Sequence, residues 1–227
     1  MELLEEASRR VRLRSSTNAE DLPGFNGAGL YRSVVVPADA TPDALAVALR
    51  EVWASTWSAQ AWEERDFFRI DQARVAMAVL VQESIDDDVV DGVGITANPF
   101  NAGRPAIFLN AQVAGQEGGA VTAARGDDVP EQVLYYTYGE EREFERLSRS
   151  SRTGGAAVLT DDEVVTLARA MQSIHAHFNR RLSVAEDTPM DVEFLLAGPA
   201  RRLVFVQARP YPIRYDYGRE MATDGGE

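Results

Sequence analysis

The feature that most constrains the fold lies near the end of the chain. "MDVEFLL" and "RRLVFVQARP" are two apolar-rich segments joined by the short turn "AGPAR", within residues 190–210. Each reads as a strand, and so short a connection pairs them as a hairpin. Strand alternation then decides which side chains share a face: Asp191 with Glu193 on the first strand, and Gln207 with Arg209 on the second. One sheet surface thus presents two carboxylates, an amide and a guanidinium.

The other segments sort into helices and further strands. Thr41 and Pro42 open a helix as N-cap and first helical residue, followed by Leu45, Val47, Leu49, Val52 and Trp53 at mostly helical spacing. "SAQAWEERDFF" predicts a second helix reaching Phe68. "RVAMAVLVQ" (74–82) is a continuous apolar run, the pattern of a strand buried on both faces. "DGVGITANP" and "PAIFLNAQV" predict shorter strands, and "EQVLYYTY" with "REFERLSRS" predicts a hairpin about Gly139. Thr160 and Glu163 form a capping box for a long helix whose stripe is Val164, Leu167, Met171 and Ile174. Residues 2–9 read as a short helix, 114–130 as a loop, and no internal repeat is present. The expectation is an α/β (α+β) fold, a mixed or antiparallel sheet flanked by helices, with one domain over residues 1–213 and a flexible tail over 214–227.

Composition narrows the function classes. The net charge of −13 argues against nucleic acid and anionic membrane as partners, since both select basic surfaces. A small anion is still allowed where a metal ion and local arginines reverse the potential in one cleft. Cysteine is absent, which excludes thiolate metal sites and a cysteine nucleophile. No apolar run approaches the roughly 18 residues of a membrane span, and the first residues do not read as a signal peptide. A cytoplasmic protein is expected. Lysine is also absent, so every permanent side-chain cation is an arginine.

Two stretches carry candidate chemistry. On the closing hairpin, Asp191, Glu193 and Gln207 are hard oxygen ligands suited to Mg²⁺, and Arg209 can fork onto a phosphate. A solvated face with a cross-strand ion pair competes with that reading, and an exposed pair is worth less than about 1 kcal/mol. Near the start, "VRLRSSTNAEDLPGFNGAGLY" places Arg14 and two serines before a glycine-rich run. The three glycines of "GFNGAG" supply backbone N–H groups able to approach phosphate oxygens closely. The lysine that closes a Walker loop is missing, and a plain glycine-rich turn is the alternative, with Arg14 bridging to Glu20 or Asp21. His175 and His177, two apart on a helix, do not share a face and are poor co-ligands. Trp53, Trp57 and Trp62 read as core and helix packing, and Asp86 to Asp88 as an acidic loop.

Taken in order, "VRLRSSTNAEDLPGFNGAGLY", "EVWASTWSAQAWEERDFF", "AMAVLVQ", "DGVGITANP" and "MDVEF…VFVQARP" resemble the nucleotide-binding domain of phosphoenolpyruvate synthase and pyruvate phosphate dikinase, relatives of which occur in glucan water dikinase and rifampicin phosphotransferase. The resemblance runs from about Arg12 to Pro212. It implies an ATP-grasp fold binding Mg²⁺ and ATP, in a phosphotransferase that passes a phosphoryl group to an acceptor. It further implies that Arg14, Gly27, Ala28 and Gly29 contact the nucleotide phosphates. Glu193 and Gln207 would hold Mg²⁺ with Asp191 as a weaker ligand, and Arg209 would stabilise the phosphoryl group in transfer. The family's phosphate-binding lysine has no counterpart here, and "GGAVTAA" (118–124) has Ala123 where a phosphohistidine loop would have histidine. A non-catalytic nucleotide-binding or interaction module is therefore the alternative.

Overall fold

A computed structural model describes residues 10–22, 25–27, 29–115, 128–138, 143–181 and 188–211. The chain divides into two compact units, Met1–Asp86 and Asp87–Glu227. The short helix expected over 2–9, the tail beyond 213, the turn at Gly139 and most of the 114–130 loop lie outside the described residues.

In the first unit, β1 (Arg10–Thr17) is the central strand of an antiparallel three-stranded sheet, between β4 (Val34–Pro37) and β5 (Met77–Glu83). Between β1 and β4 the chain forms a small ladder, β2 (Asp21–Leu22) with β3 (Phe25–Asn26). Helix α1 (Pro42–Ser55) starts as its sequence dictates, Thr41 Oγ1 accepting from Ala44 N. Its Ala48 and Val52 pack against Leu13, making a core joined by Val11, Val34, Val36, Met77 and Val79. Helix α2 (Ala59–Phe67) follows, capped by Ser58.

Three expectations need correction here. The apolar run of β5 is not buried on both faces. It is an edge strand, with Leu80 54% and Val81 60% exposed. Alternation is obscured because only one side of this strand meets α1, while the composition of both sides is apolar. Trp53, Trp57 and Trp62 are not core residues either; they are 47%, 54% and 45% exposed. Of the stripe assigned to α1, Val52 is buried, but Leu45 and Val47 face outward and the second core residue is Ala48.

The second unit is a six-stranded antiparallel sheet in the order β11-β10-β6-β7-β8-β9. Its strands are β6 (Asp88–Ile95), β7 (Ala106–Val113), β8 (Glu131–Tyr136), β9 (Phe144–Ser148), β10 (Met190–Ala197) and β11 (Arg202–Pro210). One face is covered by α3 (Asp161–Arg181), whose buried Val164, Leu167, Ala168 and Met171 meet Leu109, Val133, Met190, Val192 and Phe194. The capping box forms as read: Thr160 N donates to Glu163 Oε2 at 2.8 Å and Glu163 N to Thr160 Oγ1 at 3.2 Å. Glu163 also receives Arg201 from the β10–β11 turn at 2.6 Å, and Arg201 donates onward to Val158 O at 2.7 Å. The turn of the hairpin is thereby tied to the N-terminus of the helix that covers it. Gly92 on β6 lies directly under the ring of Phe194; a Cβ there would come within 2.1 Å of it.

Glu131 at the start of β8 is fully buried yet well satisfied. It accepts from Arg146 at 2.7 Å and from the backbone N–H groups of Val158 and Leu159 at 3.0 and 3.1 Å. A buried carboxylate of this kind survives because each oxygen has donors. It fixes the approach of the chain to α3.

Candidate functional site

The hairpin carries its polar groups on the face opposite α3. Along β10, Met190, Val192, Phe194 and Leu196 point into the core, so Asp191 and Glu193 point away from it. The register places Asp191 opposite Arg209 and Glu193 opposite Gln207, the pairing that alternation predicts. A register irregularity follows immediately after Glu193, so these are the last two pairs of this face before the ladder shifts. Behind them β6 contributes Val93 and Ile95, and β7 contributes Asn110 and Phe108, in register on the same face.

The Asp191–Arg209 ion pair is as the plainer reading of the sequence anticipates, but it is not on a solvated surface. Asp191 is only 9% exposed. Its Oδ2 accepts from both Nε and one terminal nitrogen of Arg209, at 3.0 and 2.9 Å. Its Oδ1 is buried and has no hydrogen-bond partner among the described residues, and Asn110 Oδ1 is in the same condition. A buried carboxylate oxygen without a donor is a costly arrangement. It is the chemistry of an atom suited to a cation. Two carboxylates and an amide cannot complete an octahedral shell, and no cluster of three or more acidic or histidine ligands exists among the described residues. That donor set fits Mg²⁺, which keeps waters and phosphate oxygens as its remaining ligands.

The glycine loop of the first unit has its own geometry. Gly27 is buried, and its N–H donates to Glu20 O at 2.7 Å. A Cβ on Gly27 would meet Phe25, Ala19 O and Glu20 at 3.1–3.2 Å, so a larger residue forces the loop apart. Gly29 has φ +79 and open space around it, a conformation that glycine adopts without strain. Arg14 is half-buried on β1, across from Leu80 of β5 and on the face away from α1. Ala28 lies outside the described residues.

The sequence profile of the pyruvate phosphate dikinase AMP/ATP-binding domain matches residues 1–221. The chain belongs to this family. Among proteins it is similar to, phosphoenolpyruvate synthase of Aquifex aeolicus is 27% identical over 228 residues, which are 89% of this chain and 26% of that protein. The probable phosphoenolpyruvate synthase of Pyrococcus horikoshii is 27% identical over 222 residues, 88% of this chain and 26% of the relative. Rifampicin phosphotransferase of Bacillus subtilis is 28% identical over 210 residues, 87% and 23% respectively. The chain spans about a quarter of the length of these relatives.

Within this dikinase-type ATP-binding domain, the structure brings Asp191, Glu193, Gln207 and Arg209 together on one face, as their spacing predicts. Arg14, Gly27 and Gly29 belong to the other unit. One group escapes the sequence reading: Arg65 is entirely buried beside the glycine loop although it sits in a strongly charged run. His175 is packed and bonded through both ring nitrogens. Its Nδ1 is 2.7 Å from Thr96 Oγ1 and its Nε2 is 2.9 Å from the Asn179 amide, and Thr96 in turn accepts from Met190 N at 2.8 Å. His175 thus ties α3 to the start of β10. Asp86 of the acidic loop is held by Arg10 at 2.7 Å, and that hydrogen bond keeps its carboxyl below the usual range. No helix among the described residues is long and apolar enough to cross a membrane.

Proposed function

We propose that this domain binds Mg–ATP and delivers a phosphoryl group from it to an acceptor on another domain or partner. The observation that carries the reading is the buried pairing of Asp191 with Arg209, beside Glu193 and Gln207, with Asp191 Oδ1 left without a donor. Glu193 and Gln207 would hold the metal and Asp191 would complete or orient the set. Bound there, Mg²⁺ would neutralise negative charge on the phosphate oxygens. Arg209, whose fork is aligned by Asp191, stabilises charge on the group in transfer, and catalysis of this kind is mostly positioning and electrostatics. Arg14 and the loop of residues 27–29 would orient the phosphate chain, Gly27 by fixing the loop through its own bond to Glu20 O rather than by donating to phosphate.

Titration with ATP, in Mg²⁺ and in a chelator, tests the reading. Ligand at a hundredfold excess over its dissociation constant stabilises by about 2.7 kcal/mol, a rise of roughly 5–10 °C in Tm for a chain of this size. The shift should require Mg²⁺ and should vanish in Glu193→Ala. A shift that persists in both Glu193→Ala and Gln207→Ala would remove the proposed metal site. A second reading, a nucleotide-binding module without turnover, is favoured by the absence of any lysine to reach the phosphates. Binding without release of ADP or AMP in the presence of candidate acceptors would select it.

A further inference from the structure

We infer that Arg65 is a positioning residue for the phosphate loop, acting through the Tyr31 hydroxyl; this deepens the ATP-binding reading above and rests on it. Arg65 lies on α2 one turn after the buried Ala61, on the face turned inward, and has no exposed surface. Taking a guanidinium out of water costs several kcal/mol unless its N–H groups are bonded (about the penalty per buried ion). Here Nε donates to Gln72 Oε1 at 2.8 Å, one terminal nitrogen to Thr56 O at 2.7 Å, and the other to Tyr31 Oη at 3.2 Å. The rings of Tyr31 and Trp57 lie 5.9 and 5.6 Å from its carbon centre. A methionine could fill the same volume without the desolvation cost. What an apolar side chain cannot do is hold three separate segments at once: the end of α1, the 3-10 turn Gln72–Arg74, and the exit of the glycine loop.

The last of these contacts bears on function. Having accepted from Arg65, the Tyr31 hydroxyl donates to Ala19 O at 2.8 Å. Ala19 and Tyr31 are the two ends of the loop that contains Gly27 and Gly29, so one hydroxyl closes it. The next carbonyl, Glu20 O, receives Gly27 N. The chain of donors therefore runs from Arg65 to Tyr31 to the loop entrance, and each bond polarises the next. Phe25 adds a packing anchor, edge-on to Phe68 at 5.2 Å. The backbone of the loop, with the Gly27 N–H turned inward onto Glu20 O, is thus held from behind by a cation that has no access to solvent.

Tyr31→Phe is the main test, because it keeps the ring beneath the guanidinium and deletes only the hydroxyl. Two measurements on the full chain are needed: hydrogen exchange at the Gly27 amide without nucleotide, and affinity for ATP beside affinity for adenosine, which has no phosphates. Gly27 exchange should rise about tenfold and ATP binding should weaken by a similar factor, the loss of one net hydrogen bond. Adenosine binding should change less than about twofold, since only phosphate contacts are misaligned. Arg65→Lys, which keeps the charge but not the fork, should move ATP and adenosine in the same pattern. Unchanged Gly27 exchange would overturn the clamp, and equal weakening of ATP and adenosine would reduce it to general stability. If the unaltered chain binds no ATP, the Mg–ATP reading fails, while the exchange measurement still decides whether Arg65 and Tyr31 hold the loop.

Discussion

Replacing Arg209 by alanine isolates the central electrostatic element of the proposed site. The side chains of Asp191 and Arg209 are 11% and 14% exposed, and Asp191 Oδ2 takes two of the guanidinium donors. Removing the cation leaves a nearly buried carboxylate without its counter-charge, a loss of about 3–5 kcal/mol for a fully buried pair. The residual solvent access reduces this to roughly 2–4 kcal/mol. For a chain of this length each kcal/mol moves Tm by about 2–4 °C, so a fall on the order of 10 °C is expected. The three tryptophans, Trp53, Trp57 and Trp62, all belong to the first unit, so far-UV circular dichroism is the better probe of this change. The decisive comparison is Asp191→Asn/Arg209→Ala, which removes the orphaned charge along with its partner. It should recover at least about half of the lost stability, since most of the penalty belongs to the unpaired anion. If the double variant is as unstable as the sum of the two single ones, the residues are not coupled and the pair does not anchor the proposed site.

Acid stability should depend on Glu163. Its burial raises the carboxyl, but the hydrogen bonds from Arg201 and Thr160 outweigh that and hold it below its usual value. A depressed folded pKa gives stability that is present above the unfolded value near 4.5 and is lost as pH falls through the folded value. Glu163→Gln should therefore be less stable at pH 7 and show a shallower acid limb in denaturation measured from pH 7 to 3 (roughly the carboxylate range); parallel limbs would refute it. Gly29→Ala should cost about 1 kcal/mol from its positive φ, without a steric contribution. Gly27→Ala should instead weaken ATP binding, because the new Cβ presses on Ala19 O and Glu20; unchanged affinity by titration would show that the close approach is incidental.

The β10–β11 hairpin was legible because its information is local. Alternation and a short turn suffice to pair Asp191 with Arg209 and Glu193 with Gln207. The long helix was legible for the same reason: its cap and stripe lie within a few residues of each other. Arg65 was not. "AWEERDFF" reads as a charged helix face because arginine is seldom fully buried, and two of its partners, Tyr31 and Gln72, lie 34 positions before it and 7 after it. The apolar run of β5 misleads for a related reason, since composition does not reveal whether a strand will be central or at an edge. The burial of the Asp191–Arg209 pair was also beyond the sequence, which supplies the pair but not the exposure that decides its energy.

The lysine-free composition acquires a physical meaning at these sites. Arg65, Arg146, Arg201 and Arg209 each donate two or three bonds in fixed directions, and all four are drawn at least partly out of solvent. A lysine ammonium is more strongly hydrated and has no planar fork, so it would cost more to bury and would align fewer acceptors. The chain is strongly acidic in total, with a net charge of −13, and its cations must act where they are buried and aimed. Arg65 turned toward the loop from within and Arg209 aligned by Asp191 are two instances of one solution: a fixed positive group whose direction is set by neutral or anionic acceptors around it. Under that logic, conservative lysine replacements at Arg65 and Arg209 should each cost more in nucleotide binding than replacements at exposed arginines such as Arg32, whose partner Glu51 is itself half in solvent.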